Sequence, residues 1–303
     1  MPGSQDFAAD PRNEGVLIYL NGRLVPRHAA MVSVFDAGFV LGDGVWEGLR
    51  LHKGKLLHLD EHIERLFWGA REIALDLGLT PDGVKEALRQ TLAANGMEDG
   101  VHIRLMATRG VKATVNQDPR NALGTATIVI IAEHKMPSPE IRTRGLALST
   151  SSILCTPANM FDMRLNSHSR LNLIRALIDV LPKGADEALM LDPNGNVASC
   201  NATNFFCVVD DVLCTSSGDY CFNGITRQHV IELARGAGMK LLVGDFGPAH
   251  VARASEAFVT GTFGGITPVR SIDGRGLPAS VPGPVTSRLI GLLEEAKDEE
   301  ASR

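Results

Sequence analysis

No stretch of this 303-residue chain approaches the roughly 18 consecutive apolar residues of a membrane-crossing helix, which argues against a spanning protein of that kind. Residues 1 to 14 are polar and lack the apolar core of a secretory signal, so they read as a loose arm on a cytoplasmic protein. Charge of one sign is scarce: 30 Lys and Arg against 35 Asp and Glu leave a net charge of −5, which argues against nucleic acid as a partner. Cysteine is sparse and unpatterned. Cys155, Cys200, Cys207, Cys214 and Cys221 form an odd set with no Cys-x-x-Cys pair and no Cys/His cluster. That disfavours a disulfide framework and a zinc site, and predicts buried thiols on strands. No half of the chain repeats the other at any period.

What is present, 44% apolar and 21% charged residues, suits a globular protein of two modest domains. Gly15 to Leu20, Asn21-Gly22 and Arg23 to Pro26 predict a hairpin with its turn at Asn-Gly. Val45 to Leu51 and Lys55 to His58 predict short strands, and a helix is expected from about Leu59 with Asp60 as N-cap. Thr80-Pro81 starts a second helix that ends at Asn95-Gly96. Strands Val101 to Thr108 and Ala126 to Ala132 flank a polar loop, Arg109 to Gly124. Two prolines in Met136-Pro-Ser-Pro-Glu140 interrupt both periodicities. The expected organisation is therefore a smaller N-terminal α/β domain over 1–136, a linker at 137–142 and a larger C-terminal domain over 143–303. In the latter, helices are expected near Ser169 to Val180, Thr226 to Ala237 and Val285 to Ala296, followed by a frayed end. Strands are expected at Ala188 to Leu191, Phe205 to Val209 and Ala257 to Val259. The fold class is α+β or mixed α/β in two domains.

Two segments suit an anion. Gly224-Ile-Thr-Arg227 stands immediately before an amphipathic helix, where free N–H groups and the positive end of the helix dipole gather. Thr260-Gly-Thr-Phe-Gly-Gly265 follows a strand and combines three glycines with two hydroxyls, as a backbone nest requires. Each alone is weak, since most glycines before helices are structural; the basic Arg65 adds the charge a phosphate needs.

Five ordered motifs then carry a resemblance: Leu20-Asn-Gly, Gly42-Asp-Gly-Val-Trp-Glu-Gly-Leu-Arg50, His62-Ile-Glu-Arg-Leu66, Asn223-Gly-Ile-Thr-Arg227 and Thr260 to Val269. From about residue 16 to 295 the chain resembles the class IV, fold type IV, aminotransferases, which include branched-chain and D-amino-acid aminotransferases. The resemblance implies pyridoxal 5′-phosphate (PLP), or its amine form, between two domains, an amino donor and a keto acid as substrates, and a homodimer. It implies that Arg65, Ile225, Thr226 and Thr262 bind the cofactor phosphate, with Asn204 as support and Arg170 near the phenolic oxygen. A guanidinium fork suits a phosphate better than an ammonium does. Phe39, Leu41 and Trp46 resemble the apolar wall of the substrate pocket, with core packing as the alternative; such a wall favours apolar side chains.

Two departures qualify the likeness. The family's cofactor-anchoring lysine falls at about Asn166, within two residues, and Arg164-Leu-Asn-Ser-His-Ser-Arg170 contains no lysine. Arginine cannot replace it, because its guanidinium stays protonated. In Val197-Ala-Ser-Cys-Asn-Ala-Thr-Asn204, Ser199 stands where the family has a glutamate on the pyridine nitrogen. A hydroxyl can donate to that nitrogen but cannot hold its proton. Lys112, in the loop expected to overhang the substrate, is a carboxylate clamp, a displaced anchor or a solvated charge. His168 is either a proton shuttle, given an ordinary imidazole pKa of about 6.5, or a core histidine. Three functions stay open: a transaminase with noncovalent cofactor, a lyase similar to aminodeoxychorismate lyase, and a PLP-binding protein with little catalysis.

Overall fold

The computed structural model describes residues 3–303, which fall into two compact units. The N-terminal unit comprises Ala9–Met136, with Leu165–Arg170 and Glu300–Arg303. Its first hairpin, β1 (Leu17–Leu20) and β2 (Arg23–Pro26), turns at Asn21 and Gly22, whose φ angles of 49° and 83° are those of a primed turn matching strand twist. Then come α1 (Ala37–Leu41), β3 (Gly44–His52), β4 (Lys55–Leu56), α2 (Leu59–Glu72), α3 (Pro81–Ala94), β5 (Val101–Thr108) and β6 (Thr127–His134). The strands form one antiparallel sheet in the order β2-β1-β6-β5-β3-β4.

Period-two alternation sorts this sheet into two rows. Val45, Leu49, Ile103, Leu105 and Ile130 are buried in one core with Ile63 and Leu66 of α2 and Val84 and Leu88 of α3. The other row carries Trp46, Gly48 and Arg50 of β3 opposite Met106, Arg104 and His102 of β5. Thr80 caps α3 by accepting from Gly83 N, as its sequence position suggests. Asp60 does not cap α2. The cap is His58, in left-handed conformation with φ 53°, and Asp60 pairs instead with Lys85.

The C-terminal unit comprises residues 3–8, 137–164 and 171–299. Its elements are α4 (Pro139–Arg144), β7 (Leu146–Thr150), α5 (Ala158–Phe161), α6 (Leu171–Val180), β8 (Glu187–Leu191), β9 (Val197–Cys200) and β10 (Asn204–Val209). They continue with β11 (Val212–Thr215), α7 (Ile225–Gly236), β12 (Lys240–Val243), α8 (Pro248–Val251), β13 (Glu256–Gly261), β14 (Gly265–Ile272), β15 (Arg275–Gly276) and α9 (Pro284–Ser302). A nine-stranded mixed sheet runs β12-β11-β10-β13-β14-β7-β8-β9, with β15 on β14. Phe206 and Phe258 stack at 4.9 Å on the face covered by α7 and α9. Phe205, Cys207, Cys214 and Val259 pack on the other face with Val251 of α8. The fold is mixed α/β with two sheets, and all five cysteines are buried and unpaired. Among the described residues, no helix is long and apolar enough to cross a membrane.

Three local expectations change. Residues 137–142 are no bare linker but lead into and form most of α4, because Pro139 suits a first helical turn. The N-terminal arm is docked, not loose: Ser4 is buried and its hydroxyl bonds Glu187, while Asn13 exchanges two hydrogen bonds with the His134 backbone, each 2.8 Å. The charged C-terminus stays helical to Ser302, and Glu300 accepts from His58 N at 2.7 Å. Removing core volume should cost far more than removing a cap. Leu88→Ala is expected to destabilise by about 2–5 kcal/mol and Thr80→Ala by about 1 kcal/mol in urea unfolding. Equal losses would contradict the placement of α3 over the sheet.

Candidate active site

The buried row of β3 places Glu47 in the core with no solvent exposure. A carboxylate there demands partners, and α2 provides them. His62 Nδ1 lies 2.7 Å from Oε2, and Arg65 donates from Nε to Oε1 at 2.8 Å and from Nη2 to Oε2 at 2.7 Å. His62 and Arg65 are three residues apart, so one turn of α2 presents both to the strand. Burial pushes the Glu47 carboxyl up, but Arg65 and then His62 outweigh it, and the net shift is downward. Glu47 is therefore ionised, and it fixes the plane of the Arg65 fork.

The opposite row gathers a second group. The Arg104 guanidinium stands 3.6 Å from the Trp46 ring centroid, and that of Arg170 stands 5.3 Å away. Residues 165–170 are tied to β3 through the main chain. Trp46 N donates to Asn166 O at 2.9 Å, Trp46 Nε1 to Ser167 O at 3.1 Å, and His168 N to Gly44 O at 3.0 Å. Arg170 donates to Asn166 Oδ1. Gly44 makes this approach feasible, since a Cβ there would lie 2.4 Å from Ala107 O and 2.7 Å from the His168 ring.

This group is cationic. Burial lowers the pKa of Arg104, and burial with Arg104 beside it brings Arg170 down to about 10; Glu47 alone opposes either shift. Burial, then Arg104 and Arg170, lower His168 to about 4, and burial, then Arg104, lower His102 to about 3. Both imidazoles are neutral near pH 7. His168 is thus no ordinary titrating histidine, but its buried Nε2 has no hydrogen-bond partner.

In the C-terminal unit, α7 starts after Gly224 with no side-chain cap, which leaves its first N–H groups and dipole open to an anion. Asn204 holds the approach: Nδ2 donates to Phe222 O at 2.7 Å, and Oδ1 accepts from Gly224 N at 3.2 Å. A Cβ at Gly224 would come 2.3 Å from that Oδ1. Ile225 and Thr226 follow as the first two helical residues. Asn204 is registered opposite Thr260, whose hydroxyl is buried and unpartnered, and Thr262 occupies the tight turn where Gly261 faces Gly265. Ser199 Oγ donates inward to Thr203 O at 2.8 Å and accepts from Asn204 Nδ2 at 3.3 Å. Its proton is committed to its own chain, contrary to the outward donation expected of it. Beneath it, burial pushes Glu187 up to about 7, where it meets the Thr203 hydroxyl at 2.7 Å.

The structure brings Trp46, Asn166, His168 and Arg170 together, and on the other row of β3 Glu47 holds Arg65 of α2. It does not bring in the remaining sequence candidates of that unit. Lys112 is 2% exposed and donates to Asp118 O at 2.8 Å, so its amine turns into its own loop rather than outward as a clamp. Phe39 is 71% exposed, while Leu41 is half-buried. Sequence reasoning missed Glu47, His62, Arg104 and His102. The signal was available in the alternation of β3 and β5, which puts Glu47 in a core and Arg104 beside Trp46.

Residues 44–272 match the sequence profile of the family described as amino-transferase class IV. The chain belongs to the class IV aminotransferases. It is 38% identical over 288 residues to branched-chain-amino-acid aminotransferase-like protein 2 of Arabidopsis thaliana, an alignment covering 95% of this chain but 51% of the plant protein. The chain thus spans about half the length of that relative. A putative branched-chain-amino-acid aminotransferase of Methanocaldococcus jannaschii is 36% identical over 274 residues, covering 90% of this chain and 93% of the relative. The crystal structure of a T.th. branched-chain amino acid aminotransferase with pyridoxamine 5′-phosphate superposes with a TM-score of 0.85 at 31% identity, covering 92% and 93% of the two chains. In the C-terminal unit, the uncapped start of α7 behind Gly224 suits the phosphate of a cofactor such as these aminotransferases carry. The segment 164–170 does not suit covalent anchoring, for it offers no primary amine.

The neutral histidines predict an acid sensitivity. The unfolded chain binds protons at His168 and His102 near pH 6.5, whereas the folded protein resists until about 4 and about 3. Stability is full above about 6.5 and falls with pH through that window; the Glu47 contribution is lost only below the ordinary carboxylate range. His102→Asn should move the acid-unfolding midpoint to lower pH, and an unchanged midpoint would contradict the assignment.

Proposed function

We propose that this chain is a PLP-dependent transaminase that holds its cofactor noncovalently and acts on amino acids or amines with apolar side chains. The observation that carries the proposal is the pairing of intact anion-binding features with a lysine-free segment 164–170 in a class IV aminotransferase. Arg65, with the Ile225 and Thr226 N–H groups and the Thr262 hydroxyl, binds the phosphate. Arg170 takes the phenolic oxygen. Arg104, desolvated against Trp46, binds the carboxylate of the amino acid or keto acid. Trp46 and, on the same row, Met106, Val129 and Ile131 support an apolar side-chain preference. When bound, PLP supplies a carbonyl that receives the amino group and a ring that accepts electron density.

The chain's own task is to bind, orient and move a proton. Neutral His168 accepts a proton at Nε2, and its low pKa makes it a weak base that returns the proton readily. With no lysine at residues 164–170, the chain would hold the cofactor through reversible contacts alone. A second reading, a PLP-binding protein with little turnover, is favoured by one observation: Ser199 turns its proton inward, away from any ligand. Single-turnover measurement separates the two. His168→Ala should slow conversion by about 10²- to 10⁴-fold and leave cofactor affinity unchanged if His168 moves the proton.

A homodimer and a cytoplasmic setting complete the proposal. The exposed Leu171, Ile174 and Ile178 (68%, 53% and 59%) form an apolar stripe along α6, continued by Leu181 (52%) just past its end, that a second copy would cover. Five unpaired buried thiols suit a reducing compartment. Arg65→Ala should weaken PLP binding at least tenfold in a titration, because a charge-assisted bond to phosphate is worth about 1.5–3 kcal/mol. Arg65→Lys, which keeps the charge facing Glu47 but loses the fork, should fall between. Unchanged affinity in both variants would overturn the phosphate assignment.

A further inference from the structure

Arg227 is the third residue of α7, is 5% exposed, and has only uncharged hydrogen-bond partners. Nη2 donates to Ser216 O at 2.6 Å, Nη1 lies 3.4 Å from Asn223 Oδ1, and Nε is buried without a partner. Burial lowers its pKa, opposed only by the nearby Cys221 thiol and by no carboxylate. A cation kept in an interior without a counter-ion costs stability, whereas an apolar side chain of the same volume would not. Such a group persists where an anion arrives to match it.

The position of Arg227 says which anion. It follows Ile225 and Thr226, whose N–H groups open the helix, and its two bonds reach both ends of the loop that leads there. Ser216 Oγ lies 3.6 Å from Cys221 Sγ, and Asn223 Nδ2 donates to Gly218 O at 3.2 Å, so the loop is knit around the guanidinium. We propose that Arg227 is the buried counter-charge of the phosphate held at residues 224–226, a positioning residue that acts through the loop and through its field without touching the ligand. The proposal rests on the phosphate reading given above.

The signature is a split between stability and affinity. Arg227→Met keeps the volume and removes the charge; Arg227→Lys keeps the charge and loses the planar bonds. The full chain, stripped of cofactor, is followed by thermal unfolding, and binding of PLP and of inorganic phosphate by equilibrium dialysis. Arg227→Met is expected to unfold at or above the wild-type midpoint while binding both ligands at least tenfold more weakly. Arg227→Lys is expected to stay within about threefold of wild-type affinity even if its midpoint falls. Affinity retained in Arg227→Met, or a parallel fall of midpoint and affinity in both variants, would make Arg227 a structural staple and overturn the proposal. Should Arg227→Met fail to fold, Arg227→Lys decides, and a tenfold loss of affinity there overturns it. A wild-type chain that binds neither ligand would defeat the phosphate reading itself, a result distinct from any of these.

Discussion

A carboxylate with no access to water organises the N-terminal unit. Glu47 sits in a row of aliphatic residues, and its charge is bearable only because Arg65 and His62 meet it with three short contacts. Removing Arg65 would leave that charge with His62 alone, so β3 and α2 are locked in register by electrostatics as well as by Leu66 and Ile63. The lock has a second effect. It presents one edge of the Arg65 guanidinium to Glu47 and holds the rest of the fork in a defined orientation. A phosphate-binding group held in this way loses little conformational freedom when its ligand arrives.

Because side chains alternate along a strand, fixing Glu47 inward also fixes Trp46 outward, and Trp46 in turn meets Arg104 and Arg170. Burial then drives two histidines neutral while the guanidinium groups stay charged, so the Trp46 row gathers positive charge that Glu47 alone offsets nearby. The C-terminal unit reaches the same property by other means. There an uncapped helix start, an asparagine that pins the preceding glycine, and a buried Arg227 favour an anion. Each unit thus holds one local feature that favours a negative ligand.

Much of this was legible in the sequence, and the exceptions share a cause. Asn21-Gly22, Thr80-Pro81 and Gly224 before α7 are local signals, and local hydrogen bonding decides them. The family motifs pointed to Arg65, Thr226 and Thr262 by position. What stayed hidden depends on contacts distant in sequence. Residues 165–170 hydrogen-bond to β3, more than a hundred residues earlier, which no periodicity announces. Ser4 and Asn13 dock through Glu187 and His134, so a polar arm that looked loose is held. Lys112 looked exposed because it sits in a polar loop, yet that loop folds over its amine. His58 rather than Asp60 stands at the N-cap of α2, and Glu300 from the far end of the chain accepts its backbone N–H.

A class IV aminotransferase without an amine at residues 164–170 would hold its cofactor by anion recognition alone. Borohydride treatment of the PLP-loaded protein, followed by denaturation and peptide mass mapping, tests it most directly. Every lysine-containing peptide is expected to keep its unmodified mass, and the cofactor to separate from the unfolded chain. A reduced cofactor adduct on any lysine, Lys112 included, would contradict it.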